Sequence, residues 1–380
     1  MQILLNDRVQ QLIDSFVESG AEVGLQVAAY IDGELIVDAW AGIANEMSGQ
    51  PVNGDSLFTS WSTTKGFVAT CLHILADRGL VAYDTPIAHY WPEFAANGKA
   101  AITVRHALTH TAGIPQMPTG VTPEMMTDWT AMCTAIASHT PLWPPGTKVG
   151  YHAWTFGWIL GEIIRRVADQ PFAQFAQEAL CQPLGITDFY VGIPDAVEPR
   201  IAPVRLAFDP LTNVPAGSLM LQITPPQVTS DVVVNRPDIR RASIPGGGGI
   251  MNARAIARHY AMLAGYGQLD GVRILSPARI DILRTCQTAH IAGLFGEPSR
   301  FGLGYGLGGV AEQGADVAMG HGGGEFGHGG HGGSLGFADP ARKLSFGLTK
   351  NLMTYGADPT QATAYKVAAA IRTHIDRDAL

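Results

Sequence analysis

The sharpest chemical arrangement in this chain is Ser62-Thr63-Thr64-Lys65, directly before the apolar-periodic run GFVATCLHILADRGL. The spacing predicts a helix starting at Ser62, which sets Lys65 one turn on and on the same face as the serine. A serine hydroxyl is a poor nucleophile until a neighbouring base takes its proton. A lysine serves as that base only where burial and positive neighbours depress its pKa and favour the neutral amine. A helix N-terminus also turns backbone N–H groups towards a developing oxyanion. By itself the pair is a weak signal, since Ser62 also suits an N-cap and Lys65 a solvated first-turn position. The chain holds only six lysines, however, and two further motifs follow in order.

The second motif is Pro144-Pro145-Gly146-Thr147, then Tyr151-His152-Ala153 and the helical run TFGWILGEIIRRV. The third is His328-Gly329-Gly330-His331, just ahead of the strand-like SLGFAD. Between the first two lies ITVRHALTHTAGIP, residues 102 to 115. With these motifs the chain resembles, from about residue 9 to 375, the β-lactamase-like serine hydrolases. That group includes class C β-lactamases, low-molecular-weight penicillin-binding proteins and family VIII carboxylesterases. Its members carry Ser-x-x-Lys at a helix start, a Tyr-x-x motif after Pro-Gly-Thr, and Lys/His/Trp-x-Gly on the strand lining the site. The resemblance implies that Ser62 attacks an acyl carbonyl while Lys65 and Tyr151 share and shuttle the proton. It implies that Tyr151 protonates the leaving group and then activates water, and that the backbone N–H groups of Ser62 and His331 form the oxyanion hole. His328, Gly330 and His152 are the accompanying oxyanion or substrate-binding positions. No cofactor and no metal are implied.

Two departures from the lactamase pattern carry information. Class C enzymes have asparagine where this chain has Ala153, which removes an amide placed to hold lysine and substrate. They have lysine in the strand motif where this chain has His328, which removes a permanent cation suited to a β-lactam carboxylate. Both changes point from β-lactams towards small uncharged esters with short acyl chains. Rival readings on the same fold are acyl transfer and β-lactamase or D-amino-peptidase activity. A rival of another class is a catalytically silent penicillin-binding-like protein, whose signature would be loss of the serine, lysine or tyrosine; all three are present.

Gly332-Gly333-Ser334-Leu335-Gly336 also satisfies the Gly-x-Ser-x-Gly elbow of α/β-hydrolases, with HGGG at 321 to 324. Only 46 residues follow Ser334, and LGFADPARKLSFGLTKN reads as a hairpin, leaving no room for the acid and histidine that fold requires. His321, His328 and His331 lie in a glycine-rich run with little rigidity for a metal, and no His-Glu-x-x-His spacing exists.

The elements that must position these residues follow from periodicity. Val9, Leu12, Ile13, Phe16 and Val17 mark a helix after a cap at Asn6 or Asp7 and before Gly20. GLQVAAYI and ELIVDAWA flank Asp32-Gly33, a strong hairpin signal. At the far end SLGFAD and LSFGLTKN flank residues 340 to 343, and PTQATAYKVAAAIRTHI reads as a closing helix. The expectation is an α/β (α+β) protein of β-lactamase-like fold, with an antiparallel sheet built from both chain ends, flanked by helices. Residues about 1 to 80 and 240 to 380 would form one lobe of a single catalytic domain, and about 81 to 239 a mostly helical second lobe. Composition is compatible: 46% of residues are hydrophobic and 15% charged, enough for a large core. A net charge of −8 argues against nucleic acid as partner. The N-terminus shows no signal peptide, no run suits a membrane span, and Cys71, Cys133, Cys181 and Cys286 have no framework spacing, so a cytoplasmic protein with reduced thiols is expected. Oligomeric state is left open.

Overall fold

A computed structural model describes residues 2–209, 211–356 and 358–378. The elements used below are helices α1 (Gln2–Glu18), α2 (Thr64–Asp77), α3 (Thr155–Ala168), α4 (Ala253–Ala264) and α5 (Thr363–Asp378). Seven strands join in one antiparallel sheet: β1 (Gly24–Ile31), β2 (Glu34–Asn45), β3 (Gln50–Pro51), β4 (Gly306–Leu307), β5 (Phe326–Gly329), β6 (Leu335–Asp339) and β7 (Leu344–Lys350). Their spatial order is β4-β5-β6-β7-β1-β2-β3, so the two chain ends meet where β1 pairs with β7.

The β1–β2 turn is tight because Asp32 and Gly33 both take positive φ, 49° and 85°, the left-handed pair that such a two-residue turn needs. Along β1 the side chains alternate as a strand's must. Leu25, Val27 and Ala29 pack with Val9 and Ile13 of α1 and Val367 and Ile371 of α5 on one face. Ala28 and Tyr30 join Ile256 and Tyr260 of α4 on the other. Helix α4 sits close to the sheet because Gly336 and Gly347 face each other across β6 and β7. A Cβ at Gly336 would lie 2.4 Å from Ile256, and one at Gly347 2.5 Å from the Ala253 carbonyl.

Helix α1 begins at Gln2, ahead of the Asn6 or Asp7 cap expected from the sequence. Asn6 is drawn off that duty by tertiary structure: its side-chain oxygen accepts the Asp38 N–H of β2 at 2.8 Å. Helix α2 is buried on every side from Thr64 to Ala76, the mark of a central helix. It packs against α3. A smaller sheet delivers the chain to α2: Leu57–Thr59 pairs antiparallel with Gly249–Met251 and parallel with Ile201–Ala202. Among the described residues no helix is long and apolar enough to cross a membrane.

One buried ion pair ties the two ends together. Lys350, at the end of β7, donates to Glu22 at 2.6 Å and to Thr354 at 2.8 Å, and Thr363 at the start of α5 donates to the same Glu22 oxygen. Both charged side chains are 1% exposed. Lys350→Met strands a buried carboxylate and should cost about 3–5 kcal/mol. Glu22→Gln combined with Lys350→Met should recover much of that loss. Urea-unfolding midpoints of the three proteins check it; additive losses would show the two residues to be uncoupled.

Candidate active site

The chain enters α2 through an unusual turn. Ser60 is anchored first: its N–H donates to the Gly249 carbonyl at 2.9 Å and its hydroxyl pairs with Thr349 of β7 at 2.9 Å. Trp61 then takes φ +47°, a left-handed conformation that a bulky residue adopts only at a cost. Its ring holds it there, set edge-on to Trp154 at 6.3 Å and to His331 at 5.0 Å. Trp61–Thr63 form a single 3₁₀ turn and α2 starts at Thr64, so Ser62 precedes the α-helix rather than opening it as the spacing suggests.

The serine and lysine still meet. Lys65 Nζ lies 2.8 Å from Ser62 Oγ, 2.6 Å from the Ala153 carbonyl and 2.5 Å from the Gly246 carbonyl. Two carbonyls can only accept, so they take two N–H groups of the amine. In the neutral amine the remaining position is a lone pair facing the serine hydroxyl. Burial alone drives the Lys65 pKa well below that of a free lysine, which favours this state. The Gly246 carbonyl reaches the amine because glycine permits close approach: a Cβ at Gly157 in α3 would sit 2.0 Å from Gly246 N, and one at Gly246 2.4 Å from the Trp154 carbonyl. Sequence reading missed Gly246; the signal was the run Gly246-Gly247-Gly248-Gly249.

Tyr151 stands over the amine, with Lys65 Nζ 5.0 Å from its ring centre. Burial raises its pKa, and hydrogen bonding to Ser62 offsets part of the rise. The His110 ring, 4.6 Å from that of Tyr151, supports it from behind. His110, another residue the sequence reading did not single out, has φ +59°. Its carbonyl accepts the Gly150 N–H and its Nδ1 the His152 N–H.

The expected partners divide. His152 does not reach the cavity: it is fully buried, donating from Nδ1 to the Gly150 carbonyl and accepting the Ile114 N–H at Nε2. Its expected place in substrate binding is therefore corrected to that of a brace for the Tyr151 loop. Gly330 and His331 do border the cavity with Ser62. Gly330 must lack a side chain, since a Cβ there would meet Ser334 Oγ at 2.0 Å and the Ser60 carbonyl at 2.5 Å. His331 Nε2 pairs with the Tyr355 hydroxyl at 2.5 Å. His328 lies on β5, 6.1 Å from Tyr151 between ring centres, and donates from Nδ1 to the Gly329 carbonyl. Burial first, and Lys65 second, press its pKa to about 3, so it is neutral. His321 is exposed and packs edge-on to Tyr365, apart from both other histidines of the glycine-rich run. Ser334 is buried and donates to the Ser60 carbonyl at 2.9 Å.

Above Ser62 opens a cavity of about 790 Å³, walled by apolar residues including Trp61, Trp154, Leu211, Ile223, Phe295 and Phe301. Two segments, around 211–224 and 294–301, supply much of that wall. A separate polar cleft of about 570 Å³ at Asn53, Asp188 and Arg200 holds no paired nucleophile and base. The arrangement at Ser62 can deprotonate the serine, accept an acyl group on it and pass protons through Tyr151.

A family model described as "Beta-lactamase" matches residues 9–370. The Mycobacterium tuberculosis protein named esterase/beta-lactamase LipL is 34% identical over 342 residues, covering 86% of this chain and 77% of that protein. A solved structure of a family VIII carboxylesterase superposes with a TM-score of 0.86 at 33% identity, covering 96% of this chain and 97% of that one. A penicillin-binding protein homologue from Caulobacter crescentus gives 0.85 at 31% identity, covering 97% of each chain.

If Ser62 is the nucleophile, Ser62→Ala should abolish labelling by a fluorophosphonate, whereas Ser334→Ala should still label; peptide mapping of the adduct decides between them. Lys65→Ala and Tyr151→Phe should each lower turnover about 10²- to 10⁴-fold, and far from additively. His152, His328 and His331 have pKa values pressed to about 3, 3 and 4, so none changes charge above pH 5. The acid limb of kcat/KM should therefore rise with pH as Lys65, whose pKa burial lowers, gives up its proton. An acid limb that persists unchanged in the residual activity of Lys65→Ala would remove Lys65 as the base.

Proposed function

The chain belongs to the beta-lactamase family, and from that premise we propose that it is a serine carboxylesterase working through an acyl-enzyme on Ser62. The observation that carries this reading is the Lys65 amine held by two carbonyls with its third position on Ser62 Oγ. Lys65 takes the serine proton as Ser62 attacks the ester carbonyl. The oxyanion rests on the backbone N–H groups of Ser62 and His331. Tyr151 relays the proton to the departing alkoxide, and the alcohol leaves. In the second half a water attacks the acyl carbon, its proton passing to the same Lys65–Tyr151 pair and on to Ser62 Oγ as the acyl bond breaks.

Charge favours esters over β-lactams. The walls of the cavity contain no arginine or lysine among the described residues, and its one charged residue is Glu297. A β-lactam carboxylate would enter an apolar space whose only charged wall residue is a like charge, with no cation to receive it. An uncharged ester carries no such penalty, and the apolar walls gain by covering its acyl chain. The name of the esterase/beta-lactamase relative supports β-lactam turnover as a second reading.

We expect kcat/KM for a p-nitrophenyl ester to exceed that for nitrocefin by at least roughly 10²-fold, about 2.7 kcal/mol in transition-state stabilisation. Ala153→Asn, which places an amide on the cavity wall, should narrow the gap. Comparable efficiencies in the unmodified protein would return it to the β-lactamases.

A further inference from the structure

Behind Tyr151 lies a second chamber of about 260 Å³, bordered by Arg300, Gly306, Asp316 and His328. Tyr151, Phe301, Gly314 and Gly329 border both spaces, so the two adjoin at the tyrosine. The two differ in chemistry. The main cavity is walled chiefly by indole, phenyl and aliphatic groups; the chamber has apolar lining too, from Phe301, Leu307 and Met319, but adds a guanidinium, a carboxylate and an imidazole. Two of its polar atoms, His328 Nε2 and Arg300 Nε, are buried without a hydrogen-bond partner among the described residues. His328 donates from Nδ1 to the Gly329 carbonyl, so Nε2 carries a lone pair that can accept an O–H. Asp316 turns towards the Gly329 position: a Cβ there would lie 3.8 Å from its Oδ2. Arg300 and Asp316 are half-exposed and connect the chamber to solvent.

A water is held where it finds two to four polar partners, and an apolar space does not hold one. Once an acyl group fills the main cavity, that side offers the incoming water few partners. We propose that the chamber is a water site feeding deacylation, delivering water to Tyr151 from the side opposite the acyl group. This rests on the acyl-enzyme reading above. The step itself is a hydrolysis: the water oxygen bonds to the acyl carbon, the carbon–Oγ bond of Ser62 breaks, and the water proton reaches Oγ through Tyr151 and Lys65. Acid and free serine result. His328 here orients water rather than substrate. Alcohols, being partly apolar, reach the acyl carbon through the main cavity instead, so the two routes set the balance between hydrolysis and acyl transfer.

Gly306, on edge strand β4, offers a way to fill the chamber without touching the serine. A Cβ there meets nothing closer than 3.7 Å. Gly306→Leu should label with fluorophosphonate at the unmodified rate, while hydrolysis of a p-nitrophenyl ester falls at least about tenfold. The steady-state fraction of acylated Ser62, read by intact-protein mass, should rise. With n-butanol present, the ratio of butyl ester to free acid should also rise. Gly306→Ala, which adds one methyl, should shift all three readings the same way by less and serves if the leucine variant does not fold. An unchanged ester-to-acid ratio, or fluorophosphonate labelling lost in step with turnover, overturns the water route. Absence of any Ser62 adduct in the unmodified protein would instead sink the acyl-enzyme reading on which it rests.

Discussion

A primary amine taken fully out of water with no anion to answer it is unfavourable as a cation, and Lys65 is in that position. Burial by itself lowers its pKa. The fold must make such burial tolerable, and it does so with backbone rather than with charge. The carbonyls of Ala153 and Gly246 come from segments far apart in sequence, 88 and 181 residues from the lysine. Bringing both to one amine requires the start of α3 and the glycine run to touch, which only residues without Cβ allow. The glycines, the placement of Tyr151 and the approach of α3 to α2 all follow from that single requirement.

The serine side of the pair depends on a different economy. Trp61 is forced into a conformation it does not favour, and its own large ring provides the contacts that keep it there. The neighbouring histidines contribute shape rather than charge. His110 and His152 lock the Tyr151 loop through backbone groups, and His331 closes against Trp61 and Tyr355. Burial disfavours a positive charge on these rings and on the amine alike.

Much of this was readable before any coordinates, for a physical reason. Ser62 and Lys65, the Asp32-Gly33 turn and the apolar faces of α1 and α5 are local patterns, and short-range geometry repeats wherever they occur. The family fold follows from three such patterns in order. What escaped was non-local. Nothing near Gly246 announces a lysine 181 positions away. His152 sits in an irregular segment with no period to say which way its ring turns, and it turns inward to the Gly150 carbonyl. Asn6 suits a helix cap by type, yet Asp38 of β2 claims its side chain. The 3₁₀ turn at Ser62 likewise depends on Trp61 being clamped by Trp154 and His331, both remote in sequence.

The joining of β1 to β7 bears on how the molecule comes off the ribosome. Ser60, which anchors the turn before Ser62, finds its hydroxyl partner Thr349 only 289 residues later. At bacterial-to-eukaryotic elongation rates that interval is roughly 15 to 60 s. Throughout it the β1–β2 hairpin has no β7 beside it and exposes an apolar strand edge, the kind of surface on which nascent chains associate. The turn that carries Ser62 is thus framed late, when strand β7 arrives. A newborn chain carries Ser62 and Lys65 long before the strand that anchors the turn before them.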